Sequence, residues 1–274
     1  MRSTLSSKLR ACALVVGIAV LSFGTFASVA SATHSWGGYH WARTTSSFTL
    51  KLGDNVSNAW DPYLVTTSND WSVSTMLKTS IVAGFAKGNC RPTAGQVEVC
   101  NKAYGTNGWL GIASIWVSGT HITQGTVKVN DTYFNTSTYN KSEWRQFVMC
   151  QEVGHTFGLD HQDETFSNPN LGTCMDYTND PSGTIYNQLS NLHPNLHDYD
   201  ELALIYAHLD PFTTLSFSSA TKGGAAALLQ SGDFENASEW GREIRRDSRG
   251  HSSLFERDLG SGNKVFTFVM WAQN

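Results

Sequence analysis

The chain has 274 residues, of which 40% are hydrophobic, 12% aromatic and only 15% charged, a composition typical of a rigid globular protein rather than a disordered one. Its 23 acidic side chains outnumber its 19 basic ones, which argues against nucleic acid or anionic membranes as partners.

The first 32 residues carry the pattern of a cleaved secretory signal. A basic stretch, "MRSTLSSKLR", precedes the apolar run "ACALVVGIAVLSFGTFA", and small residues including Ala30 and Ala32 follow. A membrane anchor is the alternative, but this run is interrupted by polar residues and is short for a span of about 20 residues. We therefore expect cleavage after Ala32 and an extracellular mature chain. Without the three basic residues of this segment, the count of 19 falls to 16 against 23 acidic residues, a net charge of about −7.

The segments between residues 47 and 134 alternate polar and apolar residues or are rich in β-branched and aromatic residues. These patterns predict several strands and one short helix. Residues 59–71 predict the helix, with Pro62 in its first turn. Residues 88–108 are loop-like in composition. The predicted strands cover residues 47–55, 74–86, 109–119 and 120–134.

A longer helix is predicted after residue 140. Asn140 is a candidate N-cap, with Glu143 completing a capping-box-like pair, and Gly158 is the natural end of the helix. Between them, several side chains recur at helical spacing and therefore share one face of the predicted helix. They are Trp144, Phe147, Val148, Gln151 and His155.

A second amphipathic helix is predicted at residues 197–209, followed by a boundary at Asp210-Pro211. We interpret His193 and His197, which flank Pro194, as part of the cap of this helix rather than as a site. Residues 211–274 differ in composition from the preceding chain and contain one clear predicted strand, "KVFTFVMW". They predict a small β-rich C-terminal appendage of unknown role.

Four cysteines remain after the signal: Cys90, Cys100, Cys150 and Cys174. An even number in an exported chain suggests two disulfides. Three pairings are possible, and the simplest joins sequence neighbours, Cys90 to Cys100 and Cys150 to Cys174. No C-x-x-C is present, which argues against a thiol-redox role or a zinc-ribbon site.

The stretch "QEVGHTFGLDH", residues 151–161, has the spacing of a metal site. Gln151 and His155 are one helical turn apart and therefore leave the same face of the helix. Gly158 allows a sharp turn that can bring His161 back towards that face. Two ligands from a helix and one from a turn would give the open, three-ligand geometry of catalytic zinc.

This stretch resembles the signature of the metzincin zinc proteases, H-E-x-x-H-x-x-G-x-x-H followed by a Met-turn. "GTCMDY" resembles the Met-turn, and Tyr177 within it matches the tyrosine that can reach the metal in the astacin-like and serralysin-like branches. Residues 109–134 look like the substrate-binding edge strand and following strand of the matrixin branch. The resemblance covers about residues 49–210 and lacks the cysteine-switch propeptide and structural-zinc pattern of matrixins.

The resemblance implies an α+β fold for residues 33–210, with a twisted mixed β-sheet, an active-site helix and a C-terminal helix. It implies a secreted zinc-dependent endopeptidase that acts on protein or peptide substrates, as a monomer. Glu152 would be the general base and Tyr177 a donor to the developing oxyanion. The substrate would pair with an edge strand near residues 111–114. The resemblance alone suggests Ca²⁺ as a second cofactor, and no loop in the sequence has the pattern of a Ca²⁺ site.

The departure from the signature is Gln151, which stands where the first histidine is expected. A neutral amide oxygen is a poorer zinc ligand than imidazole. Three possibilities follow: the Gln151 amide is a weak third ligand, Tyr177 completes the ligand set, or the metal is lost. The alternative function is therefore a catalytically inactive, secreted binding protein that keeps a metzincin-like fold. A serine or cysteine hydrolase is disfavoured, because no G-x-S-x-G is present and the mature cysteines are expected to pair.

Overall fold

The structure is a computed structural model that describes residues 34–85, 88–216 and 234–273. The predicted signal segment, residues 1–32, lies outside the described residues. Among those described, no helix is both long and apolar enough to cross a membrane.

The described residues build one mixed, nine-stranded sheet. Eight strands follow the order β3-β2-β4-β6-β5-β9-β8-β7, and β1 pairs separately with β6. The pairs among β1 to β4 and β6 are parallel, whereas β5 and the last three strands pair antiparallel. The strands are β1 His40–Trp41, β2 Phe48–Asn55, β3 Leu77–Ala83, β4 Gln96–Lys102, β5 Trp109–Ser118, β6 His121–Asn130, β7 Arg242–Arg246, β8 Ser252–Gly260 and β9 Asn263–Trp271.

Four helices in this part of the chain accompany the sheet: α1 Asp61–Trp71, α2 Asp131–Phe134, α3 Ser142–His155 and α4 Leu196–Ile205. The fold is thus α+β, with a large mixed sheet and few helices, as predicted at that level. Pro62 lies in the first turn of α1, where its missing N–H costs no helical hydrogen bond.

The predicted cap of α3 is wrong. Lys141 holds the N-cap position without a side-chain cap, so Asn140 and Glu143 do not form a capping box. The capping box lies instead at α4, where Asn195 and Asp198 each accept a hydrogen bond from the backbone of the other. Before α3, the N–H of Asn140 bonds to the carbonyl of Thr136 and the N–H of Lys141 to the carbonyl of Tyr139, so Asn140 belongs to the preceding turn rather than to the helix end.

Residues 88–108 contain a strand that the sequence did not predict. β4 lies between β2 and β6, and Val97 and Val99 within it are fully buried. Glycine, proline and asparagine residues on either side of β4 dominate the composition of residues 88–108. Such a composition is typical of a loop, and it obscured the strand. The Cys90–Cys100 disulfide predicted in this segment is present.

The C-terminal residues are β-rich as predicted, but they extend the main sheet instead of forming an appendage. β9 pairs antiparallel with β5 from Trp109 to Ser118, and β8 and β7 continue outwards. The edge near residues 111–114, which the resemblance implied was open for a substrate, is therefore covered by β9. A second hydrophobic cluster fastens these strands on one face of the sheet; it includes Trp109, Trp116, Trp240, Phe255 and Val269.

Candidate active site

The end of α3 brings two histidine side chains together. α3 ends at His155, and the chain turns at Gly158, whose φ of +94° favours glycine. A Cβ at that position would collide with the backbone carbonyl of Tyr39. After this turn the Nε2 atom of His161 lies 2.9 Å from the Nε2 atom of His155.

The hydrogen bonds of the two rings determine where their protons lie. His155 Nδ1 is 3.0 Å from the carbonyl oxygen of Leu159, and His161 Nδ1 is 2.6 Å from Oε1 of Glu164. Because each partner accepts, both Nδ1 atoms carry hydrogen, and in neutral rings both Nε2 atoms present lone pairs. Two lone pairs facing each other at 2.9 Å repel unless a cation lies between them. This arrangement, with a carbonyl or carboxylate behind each imidazole, fits two ligands of one metal ion.

Burial keeps both rings neutral. His155 is buried, and burial together with the nearby His161 lowers its pKa well below the ordinary value. Burial lowers the pKa of His161 to about 3. Neutral imidazole is the form that binds metals.

Gln151 is the third candidate ligand and carries a buried amide oxygen. It is fully buried, one turn before His155, and its Nε2 donates to the carbonyl oxygen of Cys174 at 2.7 Å. Only the amide nitrogen can donate to a carbonyl, so this bond also fixes which atom is the oxygen. Its Oε1 is buried and meets no hydrogen-bond partner within the described part of the chain.

Glu152 is the least compensated charge-bearing side chain of the site. It is completely buried, and neither carboxylate oxygen finds a partner among residues 34–85, 88–216 and 234–273. Burial raises its pKa well above the ordinary value. The side chain lies against Gly111 of β5, where an added Cβ would come within 2.7 Å of its Oε1 and 2.6 Å of Val148. Such a carboxyl group is costly to bury without a partner, and a nearby cation would supply one.

The Met-turn-like segment is tied to α3. Cys150 and Cys174 form the predicted disulfide, next in sequence to Gln151 and Met175. Met175 packs beneath α3, where a Cβ on Gly154 would come within 2.6 Å of its sulfur. The segment that contains Met175 is therefore anchored to the helix by both a covalent bond and close packing.

Tyr177 reaches the histidine pair from that segment. Its buried ring lies 4.4 Å from the ring of His161. Its hydroxyl donates to the backbone carbonyl of Val269, in β9, at 3.4 Å. Burial raises the pKa of Tyr177 well above the ordinary value, so its hydroxyl remains a donor. His155, His161 and Tyr177 are thus in contact, and Gln151 and Glu152 are buried in the helix that ends at His155.

β9 lies over this region. The ring of Phe268 stacks on His155 with the ring centres 4.2 Å apart and the planes 8° from parallel. Together with the Tyr177–Val269 bond, this contact places a strand of the chain's own C-terminal region directly over the candidate ligands.

Arg245, in β7, completes the surroundings of His161 and was not anticipated from the sequence. It pairs with both carboxylate oxygens of Asp160, at 2.5 and 2.7 Å, and with Glu164 at 3.0 Å. Glu164 is the group that accepts from His161. Arg245 therefore holds in place the carboxylate behind a candidate ligand, from a segment 84 residues further along the chain. No local pattern around Arg245 indicates this role.

Comparison with known proteins gives little help. No protein-family model matches the chain, and no curated protein matches its sequence. Among solved structures, the chain is similar to high choriolytic enzyme 1, a hatching-enzyme zinc protease from the medaka fish Oryzias latipes. That alignment has 10% sequence identity and a TM-score of 0.35, and it covers 61% of this chain and 94% of the other. A likeness this low supports no functional conclusion, so the functional argument rests on the site itself.

Proposed function

We propose that the chain is a secreted zinc-dependent endopeptidase, matrixin-like or astacin-like in its active-site helix, whose site is closed by its own strand β9. The observation that carries the proposal is the pair of buried Nε2 lone pairs of His155 and His161, 2.9 Å apart. The helix that ends at His155 also carries the buried Glu152, whose carboxylate has no hydrogen-bond partner among the described residues. Two disulfides support export to an oxidising environment. All residues involved come from one chain, so a monomer suffices.

The residues that would hold zinc are His155 and His161 through Nε2 and Gln151 through Oε1. The commitment of the Gln151 nitrogen to Cys174 favours the amide oxygen as third ligand over Tyr177, whose hydroxyl binds the Val269 carbonyl. Zinc in this site would supply an activated water and polarise the scissile carbonyl. Because amide oxygen is the poorer ligand, we expect weaker binding than at a three-histidine site.

Glu152 would act as general base. Its carboxylate oxygens form no other hydrogen bond within the described ranges, so they are free to accept a proton from water and return it to the leaving amine. Tyr177 would donate to the carbonyl oxygen of the substrate. Its present bond to a peptide carbonyl of β9 is the same type of contact.

The substrate would be an extended peptide that replaces β9 along β5. β9 pairs antiparallel with β5 at residues 111–118 and covers the ligands, so a substrate needs the same space. The described conformation is therefore proposed to be a latent one. The Ca²⁺ expectation rests on resemblance alone and is not part of this proposal.

The second candidate is a non-catalytic secreted protein that keeps the fold for binding. The covered site and the replacement of a histidine by Gln151 favour it. It differs from the first candidate in predicting no peptide hydrolysis in any state of the chain.

Metal analysis combined with a peptidase assay tests the function. We expect Glu152→Gln to retain the zinc of the native chain but to lower cleavage of an unstructured protein such as casein by at least about a hundredfold. We expect His155→Ala to lower the zinc content by one ion per chain. If His155→Ala binds as much zinc as the native chain, the metal centre is wrong. If zinc is bound but neither the closed nor the opened chain cleaves, the binding protein is correct.

Latency is tested separately by opening the chain at the exposed turn between β8 and β9, residues 261–262, with an inserted recognition sequence for a specific protease, which leaves Arg245 in the main fragment. The cut chain should gain specific activity on dilution, as the 262–274 fragment dissociates, and should lose it when the fragment is added back. A scrambled insert is the matched control and should show neither effect. Equal activity of the cut and uncut chains at all concentrations would reject latency without affecting the metal assignment.

A further inference from the structure

A second group of histidines lies outside the candidate active site. His40 and His121 are register partners in the parallel pair of β1 and β6, and His208 and Asp210 follow α4. His121 Nε2 is 3.1 Å and His40 Nε2 is 3.5 Å from the same oxygen, Oδ1 of Asp210. His208 Nε2 lies 3.1 Å from His40 Nε2 and 3.7 Å from that oxygen.

The donor atoms of His40, His121 and Asp210 all lie within 4.8 Å of one another, close enough to share one ion. Bonds of 2.0–2.1 Å in a tetrahedron place neighbouring ligand atoms about 3.3 Å apart. The separations of His121 and His40 from Asp210 Oδ1, 3.1 and 3.5 Å, lie on both sides of that value. His208 lies beside His40 but is not within this distance of all three donors, so it is a neighbour of the cluster rather than a member.

The surroundings orient these side chains. His40 Nδ1 is 2.8 Å from the carbonyl oxygen of Gly38, so Nδ1 carries the hydrogen and Nε2 is available as a ligand. The backbone N–H of Arg43 donates to Oδ2 of Asp210 at 3.0 Å, which leaves Oδ1 for the cluster. The same two residues are joined a second time, by the N–H of Asp210 and the carbonyl of Arg43 at 2.8 Å. Two of the candidate ligands are thus held before any ion binds.

The four side chains differ in their exposure to solvent. The side chains of His40 and Asp210 are 7% and 6% exposed, that of His121 is 22% exposed and that of His208 is 54% exposed. The exposed side chain gives an ion a route to the three more buried donors. Two imidazoles and one carboxylate suit zinc and disfavour calcium or magnesium, which prefer oxygen ligands.

We propose that His40, His121 and Asp210 bind a zinc ion that ties β1 and β6 to the segment after α4. Three protein ligands leave one position of a tetrahedral shell for a water molecule. The ligands are distant in sequence, so the ion would join three separate segments of the chain. This site shares no ligand with the proposed active site and does not depend on the proposed function.

Zinc stoichiometry of the full chain tests this site. His155→Ala combined with His161→Ala removes the proposed active-site ligands, and we expect that variant to retain one zinc ion per chain. Adding either His121→Ala or Asp210→Ala should remove the retained ion. The matched control is His193→Ala, whose side chain is 53% exposed and also contacts one carboxylate, and it should leave the retained zinc unchanged.

A second measurement avoids the multiple variant. In the otherwise native chain, His121→Ala should reduce bound zinc by one ion and should shrink the drop in melting temperature caused by a chelator, whereas His193→Ala should change neither. The proposal is overturned if His121→Ala binds as much zinc as the native chain, or if the double His155/His161 variant folds but binds none.

Discussion

The ring of Phe268 lies flat against the ring of His155, with 4.2 Å between the ring centres. His155 is a candidate zinc ligand near the middle of the chain, and Phe268 belongs to β9, close to its C-terminal end. This contact makes access to the candidate site depend on a strand far away in the sequence.

Phe268→Ala should expose the candidate site more than a similar substitution does elsewhere in the C-terminal strands. Phe255→Ala is the matched control, because Phe255 is buried in β8 in the cluster around Trp240. Both variants should lose about 3–5 kcal/mol of unfolding free energy. Only Phe268→Ala should make removal of active-site zinc by a chelator clearly faster, measured by a colorimetric zinc indicator. Equal rates in the two variants would show that Phe268 does not limit access.

Gly111→Ala should displace Glu152. The added Cβ would lie within 3 Å of Glu152 and of Val148, and the buried Val148 cannot yield without strain. We expect kcat to fall at least about tenfold with zinc content unchanged, because a misplaced base loses its proton-transfer geometry. Gly125→Ala is the control, since its Cβ would meet atoms no closer than 3.3 Å. Unchanged kcat in Gly111→Ala would remove the argument for Glu152 as the base.

Gln151→His should strengthen zinc binding. Imidazole is a better zinc ligand than an amide oxygen, so we expect the dissociation constant to fall at least about tenfold in a competitive chelator titration. Gln146→His is the control on the same helix, because Gln146 is buried and hydrogen-bonded to Thr67 instead. Weaker binding by Gln151→His would indicate that the bond from Gln151 to Cys174 matters more than the type of ligand atom.

Replacing Cys150 and Cys174 together by serine should cost both stability and metal affinity. Opening a loop with a sequence separation of 24 should lower the unfolding free energy by about 3 kcal/mol, measured by urea titration. Zinc affinity should fall as well, because Cys174 accepts from Gln151 and is adjacent to Met175. Replacing Cys90 and Cys100 is the control, with a similar loss of stability but unchanged affinity at the active site.

Local spacing in the sequence was sufficient for much of the candidate site. Gln151, Glu152 and His155 share one helix, and Gly158 lies in the turn after it, so helix geometry and one turn bring His161 against His155. The two disulfides likewise join cysteines that are close in sequence, so the spacing of the cysteines was enough to predict them. Periodicity likewise predicted β2 and the strands β5 and β6, because each has residues that suit a buried sheet.

Contacts between distant segments could not be read from the sequence. Strand β4 was missed among turn-forming residues, and nothing local indicates that β9 pairs with β5 over 150 residues away or that Arg245 supports Glu164. The cluster of His40, His121 and Asp210 likewise forms only when β1, β6 and the segment after α4 meet. Periodicity reports which face of an element is buried but not which partner buries it, and that choice depends on the packing of the whole chain.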